Sequence, residues 1–383
     1  MGAGGIALKI GIITFHRACN CGAMLQAFAL KTVLARMGHD VSFPKCNHVG
    51  IDPRWPKWRY SASWNPVRIA VNLLRYVREI VLSFGAEERK RIKYRGFLRR
   101  YLPELKIGPA DFHDHYEALV FGSDQIWNIK RSENSRIHES ALFLAENAPV
   151  DLHKISYAAS VGEEGTTEEE DKRIHDAAQR LDFVSMREKA ACEGLFSKSG
   201  GKAEWVLDPT MLLSAKDYGG LEYSRRLVRD RYVLVYIAQH RAEFAISRAH
   251  EAAEYLGCRC VVLRGYYFAR HGMGGDERTA FGPRDLVTLV RDAEAVLSLS
   301  FHGTAFALIY NKPFVSLRDV VTKVEARQES LLRRLKCSER LVYPDSNSED
   351  WLPLLKEPPS QATRAELASW REFSNKWLQK ALA

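Results

Sequence analysis

The chain has 383 residues, of which 46% are hydrophobic and 27% are charged, and its formal net charge is +9. This length is typical of two domains, and no stretch approaches the ~20 apolar residues that a membrane span requires. Seven cysteines and an N terminus without an export signal argue against a disulfide framework and predict a cytoplasmic protein.

The pattern of the first half indicates an α/β domain over residues 1–220. A strand over 9–15, a helix over 23–37 and a strand over 41–43 form the opening of a βαβ unit. Residues 66–102 interrupt the alternation as a basic helical insertion. Further short strands are predicted over residues 118–121, 155–159, 183–186 and 205–207.

The second half, residues 221–383, repeats the alternation after a charged, loosely patterned stretch over 214–231. Its clearest strand, residues 232–238, is a continuous apolar run typical of a buried parallel strand. Two such domains that face each other form a cleft, where ligands usually bind. The other predicted elements are helices over 243–256, 283–291 and 304–310, strands over 259–263, 295–299 and 313–317, and a terminal helix over 363–382 with Thr363 as its N-cap.

The most informative segment is Ser300-Phe-His-Gly303, which follows a predicted strand and precedes a helix. Open α/β sheets bind ligands at the carboxyl ends of their strands, and the N terminus of a helix attracts phosphate. An imidazole beside such an anion seat indicates proton transfer on a phosphorylated substrate, with His302 as the acid or base. The alternative is that His302 caps the helix.

Two loops of the first half follow predicted strands and could contact a sugar. Asn20 and Gln26 lie in one of them, Gly22 would clear space for them, and His16 shares the edge as a second acid/base candidate. In the other loop, three polar side chains and the indole face of Trp127 suit sugar binding. The alternative is that Asp124 caps the next helix and Trp127 packs in the core. These residues are Ser123, Asp124, Gln125 and Trp127.

Basic residues near the strand ends are candidates for binding an anionic donor. Arg187 follows a predicted strand and is placed for a bidentate grip on a carboxylate or phosphate, with an ordinary ion pair as the alternative. Arg264 ends another strand, and Lys312, Arg318 and Lys323 follow the His302 helix, where solvated surface is the competing interpretation. The sequence Asp208-Pro-Thr210 is interpreted as a structural turn.

Several ordered motifs together resemble the polysaccharide pyruvyl transferase family. Cys19 and Cys21 depart from the family pattern. An aromatic residue such as tyrosine is usual at the position of Cys21, and a cysteine is not expected at position 19. The motifs span residues 10–314 and are Ile12-Ile-Thr-Phe-His16, Asn20-Cys-Gly-Ala-Met-Leu-Gln-Ala27, Gly122-Ser-Asp-Gln-Ile-Trp-Asn128, Ser156-Tyr-Ala-Ala-Ser160, Ser185-Met-Arg-Glu188, Val206-Leu-Asp-Pro-Thr210 and Ser300-Phe-His-Gly303.

The resemblance implies a GT-B-like fold of two facing Rossmann-like domains and transfer of pyruvate from phosphoenolpyruvate to a sugar of a surface polysaccharide or its lipid-linked precursor. It implies that His302 and Arg187 are catalytic, that Ser300 and Gly303 take part in donor binding, and that the loops of the first half bind the acceptor. A sugar-nucleotide-dependent glycosyltransferase of the same architecture is the alternative.

Other partners and cofactors are constrained by what the sequence contains. The basic residues within 66–102 are consistent with two interpretations: a surface that binds an anionic membrane, or an ordinary surface that faces solvent. No nucleic-acid-binding signature, dinucleotide fingerprint or P-loop is present, so neither nucleic acid nor a nicotinamide or ATP cofactor is expected. The pairs Cys19/Cys21 and Cys258/Cys260 are more readily explained by burial than by metal binding.

Overall fold

The computed structural model contains two parallel β-sheets, one from each half of the chain. Within the part that it describes, no helix is long and apolar enough to cross a bilayer. The described residues are 7–44, 85–86, 88–129, 140–162, 166–196, 203–237, 243–264, 276–318 and 327–383.

The first sheet has the order β3-β2-β1-β4-β5, and short bridges connect its last strand to the pair β6-β7. The central strand β1 pairs with β2 through Ile10 and Val41, and with β4 through Ile12 and Val120. These apolar side chains are buried, which explains the continuous hydrophobic runs. The elements are β1 Lys9–Ile13, α1 Cys21–Arg36, β2 Asp40–Pro44, α2 at residues 88–101, β3 Glu104–Leu105, α3 Phe112–His115, β4 Ala118–Phe121, α4 Ser140–Phe143, β5 His153–Ser156, α5 Glu168–Gln179, β6 Ser185–Met186, α6 Lys189–Phe196, β7 Glu204–Trp205, α7 Pro209–Leu212 and α8 Ala215–Tyr218.

The second sheet has the order β10-β9-β8-β11-β12-β13, and all its pairings are parallel. Strand order reverses between β8 and β11, so a crevice opens at their carboxyl ends. The elements are β8 Tyr232–Ile237, α9 Glu243–Leu256, β9 Arg259–Arg264, β10 Asp276–Arg278, α10 Pro283–Asp292, β11 Ala295–Ser298, α11 Phe301–Ile309, β12 Phe314–Leu317, α12 Arg327–Arg334, β13 Leu341–Val342, α13 Ser348–Trp351 and α14 Gln361–Ala381.

The terminal helix α14 crosses back onto the first half. Ser374 Oγ accepts a hydrogen bond from the backbone N–H of Leu207 at 3.0 Å, and the Trp370 indole donates to the carbonyl of Trp205 at 3.3 Å. The helix therefore contacts both halves, since Glu366 also lies 3.4 Å from Arg334 of the second half. Its N-cap is Ser360, whose side chain accepts from the N–H of Thr363, so the prediction of Thr363 as the cap is wrong by one turn.

The basic insertion lies against both halves where the structure describes it. From α2, Tyr94 contacts Cys21 Sγ at 2.9 Å, and Lys93 Nζ lies 2.9 Å from Asp285 Oδ1 of the second half. Burial is the largest influence on Cys21 and raises the pKa of its thiol. Residues 66–84 and residue 87 of the predicted insertion lie outside the described residues.

A paired carboxylate, Asp217, stabilises the connection between the halves. Its Oδ2 accepts from the backbone N–H and the hydroxyl of Ser214 at 2.7 and 2.6 Å, and its Oδ1 lies 2.8 Å from Arg36. Burial opposes ionisation, but the contacts with Ser214 and Arg36 outweigh it and lower the pKa of Asp217 to about 2.

The Asp217→Asn variant is expected to unfold more easily at neutral pH, by about 1 kcal/mol, because a capping carboxylate is lost. The folded-state pKa is depressed, so this stability is present above the unfolded-state pKa and disappears as pH falls from ~4 to 2. Urea unfolding of both proteins across that range measures it. A difference that stays constant down to pH 2 would contradict the assignment, and Arg36→Ala, which removes only a half-exposed ion pair, should cost less.

Candidate active site

His302 lies at the N terminus of α11, on the carboxyl edge of the second sheet. The preceding turn is closed by Ser298, whose Oγ donates to the Ser300 carbonyl at 2.9 Å and accepts from its N–H at 3.0 Å. Gly303 is required there, because a Cβ would lie 2.1 Å from Ser298 Oγ. Ser300 is the N-cap by backbone geometry, but its side chain does not cap the helix. The turn thus fixes the imidazole, which is 8% exposed.

The ring of His302 rests on the first half of the chain. A Cβ on Gly22, in the first turn of α1, would lie 2.0 Å from His302 Nδ1. Gly22 was expected to clear space for acceptor contacts, whereas in the structure it clears space for the histidine. His302 is therefore a point at which the two halves meet.

A buried ion pair from the first half lies beside His302. Asp208 is fully buried at the N-cap of α7, and its Oδ2 lies 2.7 Å from Arg187 Nη1 and 3.7 Å from His302 Nε2. Its Oδ1 accepts from the N–H and the hydroxyl of Thr210 at 2.9 and 2.6 Å. The structural role predicted for Asp208-Pro-Thr210 is present, but sequence reasoning missed the contacts with Arg187 and His302.

The charges of this cluster stabilise one another. Burial opposes ionisation of Asp208, yet His302, Arg187 and Thr210 together hold the pKa of its carboxyl well below the usual range. Burial also works against the charge of Arg187, but Asp208 and the other neighbouring carboxylates raise its pKa. The guanidinium carbon of Arg187 also lies 4.8 Å from the centroid of the Phe301 ring. The site thus keeps a full positive and a full negative charge away from bulk water.

Three buried nitrogen atoms at this point lack a hydrogen-bond partner among the described residues. His302 Nε2 and the Nε and Nη2 atoms of Arg187 have no hydrogen-bond partner within the described parts of the chain. Buried polar atoms are normally paired, so such a group marks a position where a ligand or water completes the site. The arrangement can bind an anion and transfer a proton.

The loop after β4 contributes the neighbouring wall. Ser123 is fully buried, and its Oγ donates to the Ala158 carbonyl at 2.9 Å and lies 3.4 Å from Asp208 Oδ2. Asp124 Oδ1 lies 4.0 Å from Arg187 Nη2. Asp124 and Gln125 are partly exposed, so they remain accessible to an acceptor.

Comparison with known proteins places the chain in a family. The model of the polysaccharide pyruvyl transferase family matches residues 20–318, which is most of the chain. This chain is a polysaccharide pyruvyl transferase family member. No curated protein matches it significantly.

Among solved structures, a putative UDP-N-acetylglucosamine 2-epimerase from Listeria monocytogenes matches this pyruvyl transferase family member with a TM-score of 0.52 at 11% identity, covering 97% of this chain and 94% of that one. A UDP-GlcNAc 2-epimerase from Methanocaldococcus jannaschii gives 0.49 at 10% identity, covering 93% of each chain. A spinosyn rhamnosyltransferase gives 0.43 at 12% identity, covering 98% and 99%. The fold is the expected GT-B type, with parallel α/β halves and a C-terminal helix.

Three residues that were expected to bind the acceptor have structural roles in this family member. Trp127 is fully buried in the core and its indole donates to the Phe143 carbonyl at 3.1 Å, so it offers no ring face to a sugar. Gln26 is also fully buried, and its amide links Thr14, Ala23 and Ser123. Asn20 caps α1 by accepting from the N–H of Ala23, but it remains partly exposed.

His16, the second acid/base candidate, belongs to a separate pair. Its Nε2 lies 3.0 Å from Glu104 Oε1, which Arg17 also contacts at 2.8 Å. Burial is the largest influence on Glu104, but His16 and Arg17 outweigh it and lower the pKa of the carboxyl. His16 is therefore paired with the carboxylate of Glu104 at the carboxyl edge of the first sheet.

The basic candidates of the second half divide between the two edges of its sheet. Arg264 ends β9 and Arg318 follows β12, so both buried arginines lie on the same edge as His302. Lys312 precedes β12, and its Nζ donates to the Ala293 carbonyl before β11 at 2.9 Å. Lys312 thus lies at the amino ends of the strands, away from the site, and its assignment to donor binding is wrong. Lys323 lies outside the described residues.

Proposed function

We propose that this chain transfers the pyruvyl unit of phosphoenolpyruvate to two hydroxyl groups of one sugar, forming a pyruvate ketal and releasing phosphate. The sugar belongs to a surface polysaccharide or its lipid-linked precursor. The observation that carries the proposal is the position of His302 between the two halves, beside the buried guanidinium of Arg187 and at the N terminus of α11. Phosphoenolpyruvate is a small anion that must be protonated on carbon. It therefore needs a proton donor, which His302 supplies, and positive charge, which Arg187 and the helix N terminus supply.

The reaction requires one acid that can also accept a proton. His302 donates a proton to the methylene carbon of the donor, which becomes a methyl group, and the adjacent carbon becomes oxocarbenium-like. A first hydroxyl attacks that carbon and its proton goes to His302. The bond to the phosphate oxygen breaks, the second hydroxyl attacks, and its proton leaves with the phosphate. One donor and one diol thus give one ketal and one phosphate.

The cations at this edge suit the charges of the donor. Arg187 has two buried nitrogen atoms without a hydrogen-bond partner in the described part of the protein, so it can bind the carboxylate or phosphate. Arg318 follows β12, the neighbour of β11, and Arg264 ends β9, which is separated from β11 by β8, so both lie on the carboxyl edge that holds the His302 turn. The free N–H groups at the start of α11 add a partial positive charge. These groups would stabilise the departing phosphate.

The test is an assay in D2O with purified protein, phosphoenolpyruvate and a panel of diol-bearing oligosaccharides. Phosphate release should depend on both donor and acceptor, without a nucleotide sugar. Mass spectrometry should find one deuterium in the ketal methyl group, because the solvent-derived proton is transferred to carbon. Product formed only with a nucleotide sugar would support the glycosyltransferase alternative and reject the proposal.

We further propose that the reaction occurs at the cytoplasmic face of a membrane, through the outer face of α2. Its inner face is fixed by the buried Tyr94, so Ile92, 61% exposed, points outward together with arginines of both neighbouring turns. A basic face with an exposed apolar side chain suits an anionic lipid surface. The exposed arginines are Arg89, Arg95, Arg99 and Arg100.

The double variant Arg95→Ala/Arg99→Ala should bind phosphatidylglycerol-containing vesicles roughly 30-fold less tightly than wild type, since each arginine near such a surface contributes about 1 kcal/mol. Vesicle sedimentation at 100 mM salt, about physiological ionic strength, measures this. Arg225→Ala/Arg229→Ala removes the same charge from exposed positions elsewhere and should bind normally. Equal binding of both variants, or of neutral vesicles, would contradict the proposal.

A further inference from the structure

The carboxylate of Asp208 is the group that connects Arg187 of the first half with His302 of the second. It is fully buried, and its Oδ2 lies 2.7 Å from Arg187 of the first half and 3.7 Å from His302 of the second. A buried charge is costly unless it is paired and hydrogen-bonded, so this position needs a specific reason for a carboxylate.

The two oxygen atoms of Asp208 divide their contacts. Oδ1 faces α7 and accepts from the N–H and hydroxyl of Thr210, which fixes the carboxylate as a helix cap. Oδ2 faces the gap, where Arg187, Ser123 and His302 surround it. Capping alone uses one oxygen, so the contacts of Oδ2 require a second explanation.

We propose that Asp208 is a positioning residue for His302. Its Oδ2 orients the Nε2 edge of the imidazole, holds the proton of the neutral ring on Nε2, and balances the charge of the imidazolium during turnover. The catalytic part of this inference rests on the proposed function. The hydrogen bonds that an imidazole makes determine which of its two nitrogen atoms carries the proton in the neutral ring. A carboxylate that accepts from one nitrogen keeps the proton on that nitrogen.

The geometry needs little adjustment for this role. The distance of 3.7 Å is a charge contact, and shortening it by less than about 1 Å makes a hydrogen bond. Thr210, Arg187 and Ser123 hold the carboxylate of Asp208 in place. Gly22 covers one face of the His302 ring, so the ring can approach the carboxylate only from the side away from Gly22. The Nε2 edge therefore meets the carboxylate.

The first test is an NMR measurement on protein with ¹⁵N-labelled histidine and no substrate. The His302 signals, assigned by their loss in His302→Ala, should show the neutral tautomer with the proton on Nε2. Asp208→Asn should alter that tautomer. A proton on Nδ1 in the wild-type protein, or the same tautomer in both proteins, would overturn the proposal. A proton on Nδ1 in the wild-type protein overturns the proposal even if a variant does not fold.

The second test separates positioning from folding by kinetics. Asp208→Asn should lower kcat by about 10²-fold or more without raising KM for phosphoenolpyruvate, because Arg187 keeps its charge for the donor. Asp208→Glu should restore part of kcat. The matched control is Thr210→Val, which removes an Oδ1 contact and leaves Oδ2 unchanged, so kcat should stay within about 3-fold.

The outcomes of the two tests are distinguishable. If phosphoenolpyruvate is not the donor, the assay fails for the wild-type protein while the NMR result still stands. If Asp208 only neutralises Arg187, Asp208→Asn loses active sites in proportion to unfolding, and the fraction that remains folded turns over normally. That pattern would overturn the positioning role.

Discussion

The His302→Ala variant is expected to fold normally and to turn over about 10²–10⁴ times more slowly than the wild-type protein, the usual contribution of a general acid. His302 Nε2 has no hydrogen-bond partner among the described residues, so its removal breaks no hydrogen bond at that atom. Its ring lies between the halves beside the buried pair of Arg187 and Asp208, where loss of a proton donor stops the chemistry. Phosphate release and thermal unfolding measure the two effects.

The matched control is His16→Ala. His16 is also buried, 1% exposed against 8% for His302, but its Nε2 is paired with Glu104 at 3.0 Å. We expect this variant to lose stability, because the contact of a buried ring with a partly buried carboxylate is broken, and to keep most of its turnover per folded molecule. The assignment of the acid is wrong if His302→Ala retains normal turnover while His16→Ala does not.

The strands were predictable because each is a local signal. Residues 232–237 and 295–298 are continuous apolar runs, and in the structure every one of their side chains is buried in the centre of a parallel sheet. The position of His302 followed from the same signal, since a residue placed directly after such a strand must lie at its carboxyl end. Arg187 and Asp124 were found in the same way.

The contacts between distant segments could not be read in this way. Asp208 looks like a turn residue because its helix cap is local, whereas its contacts with Arg187 and His302 join segments 21 and 94 residues apart. The return of α14 to the first half depends on Trp370 and Ser374 matching a surface that the sequence does not display. Lys312 was misplaced because a short helix reverses the chain and returns it to the opposite edge.

The same distinction explains why the sequence left open whether Trp127 and which side chains of α2 face solvent. An indole in a loop after a strand predicts either sugar stacking or core packing, and the neighbours that bury Trp127 come from elsewhere, including Phe143. The basic pattern of residues 66–102 fits an exposed face, but one side of α2 is packed against Cys21 and against Asp285 of the second half. Composition establishes how many charges a helix carries, and only packing determines which of them face solvent.

The Gly22→Ala variant is expected to lose about 10²-fold in turnover although it adds a single methyl group. In most helices this substitution is stabilising, by up to about 1 kcal/mol, because alanine favours the helix. Here the new Cβ would lie 2.0 Å from His302 Nδ1, so the imidazole must move away from the gap or the halves must separate. A misplacement of about 1 Å is enough to cost turnover on this scale. Phosphate release under saturating donor measures it.

Two further variants isolate the cause. Gly96→Ala, on α2, adds the same methyl group where nothing lies within 4 Å, so it should gain stability and keep full turnover. In the His302→Ala background the obstruction is gone, and Gly22→Ala should then become stabilising. A double-mutant cycle on the free energy of unfolding measures the coupling between Gly22 and His302. We expect the added methyl group to destabilise the protein when the His302 ring is present and to stabilise it when the ring is absent. Additive effects of the two substitutions would show that the ring does not rest on the glycine and that the halves meet elsewhere.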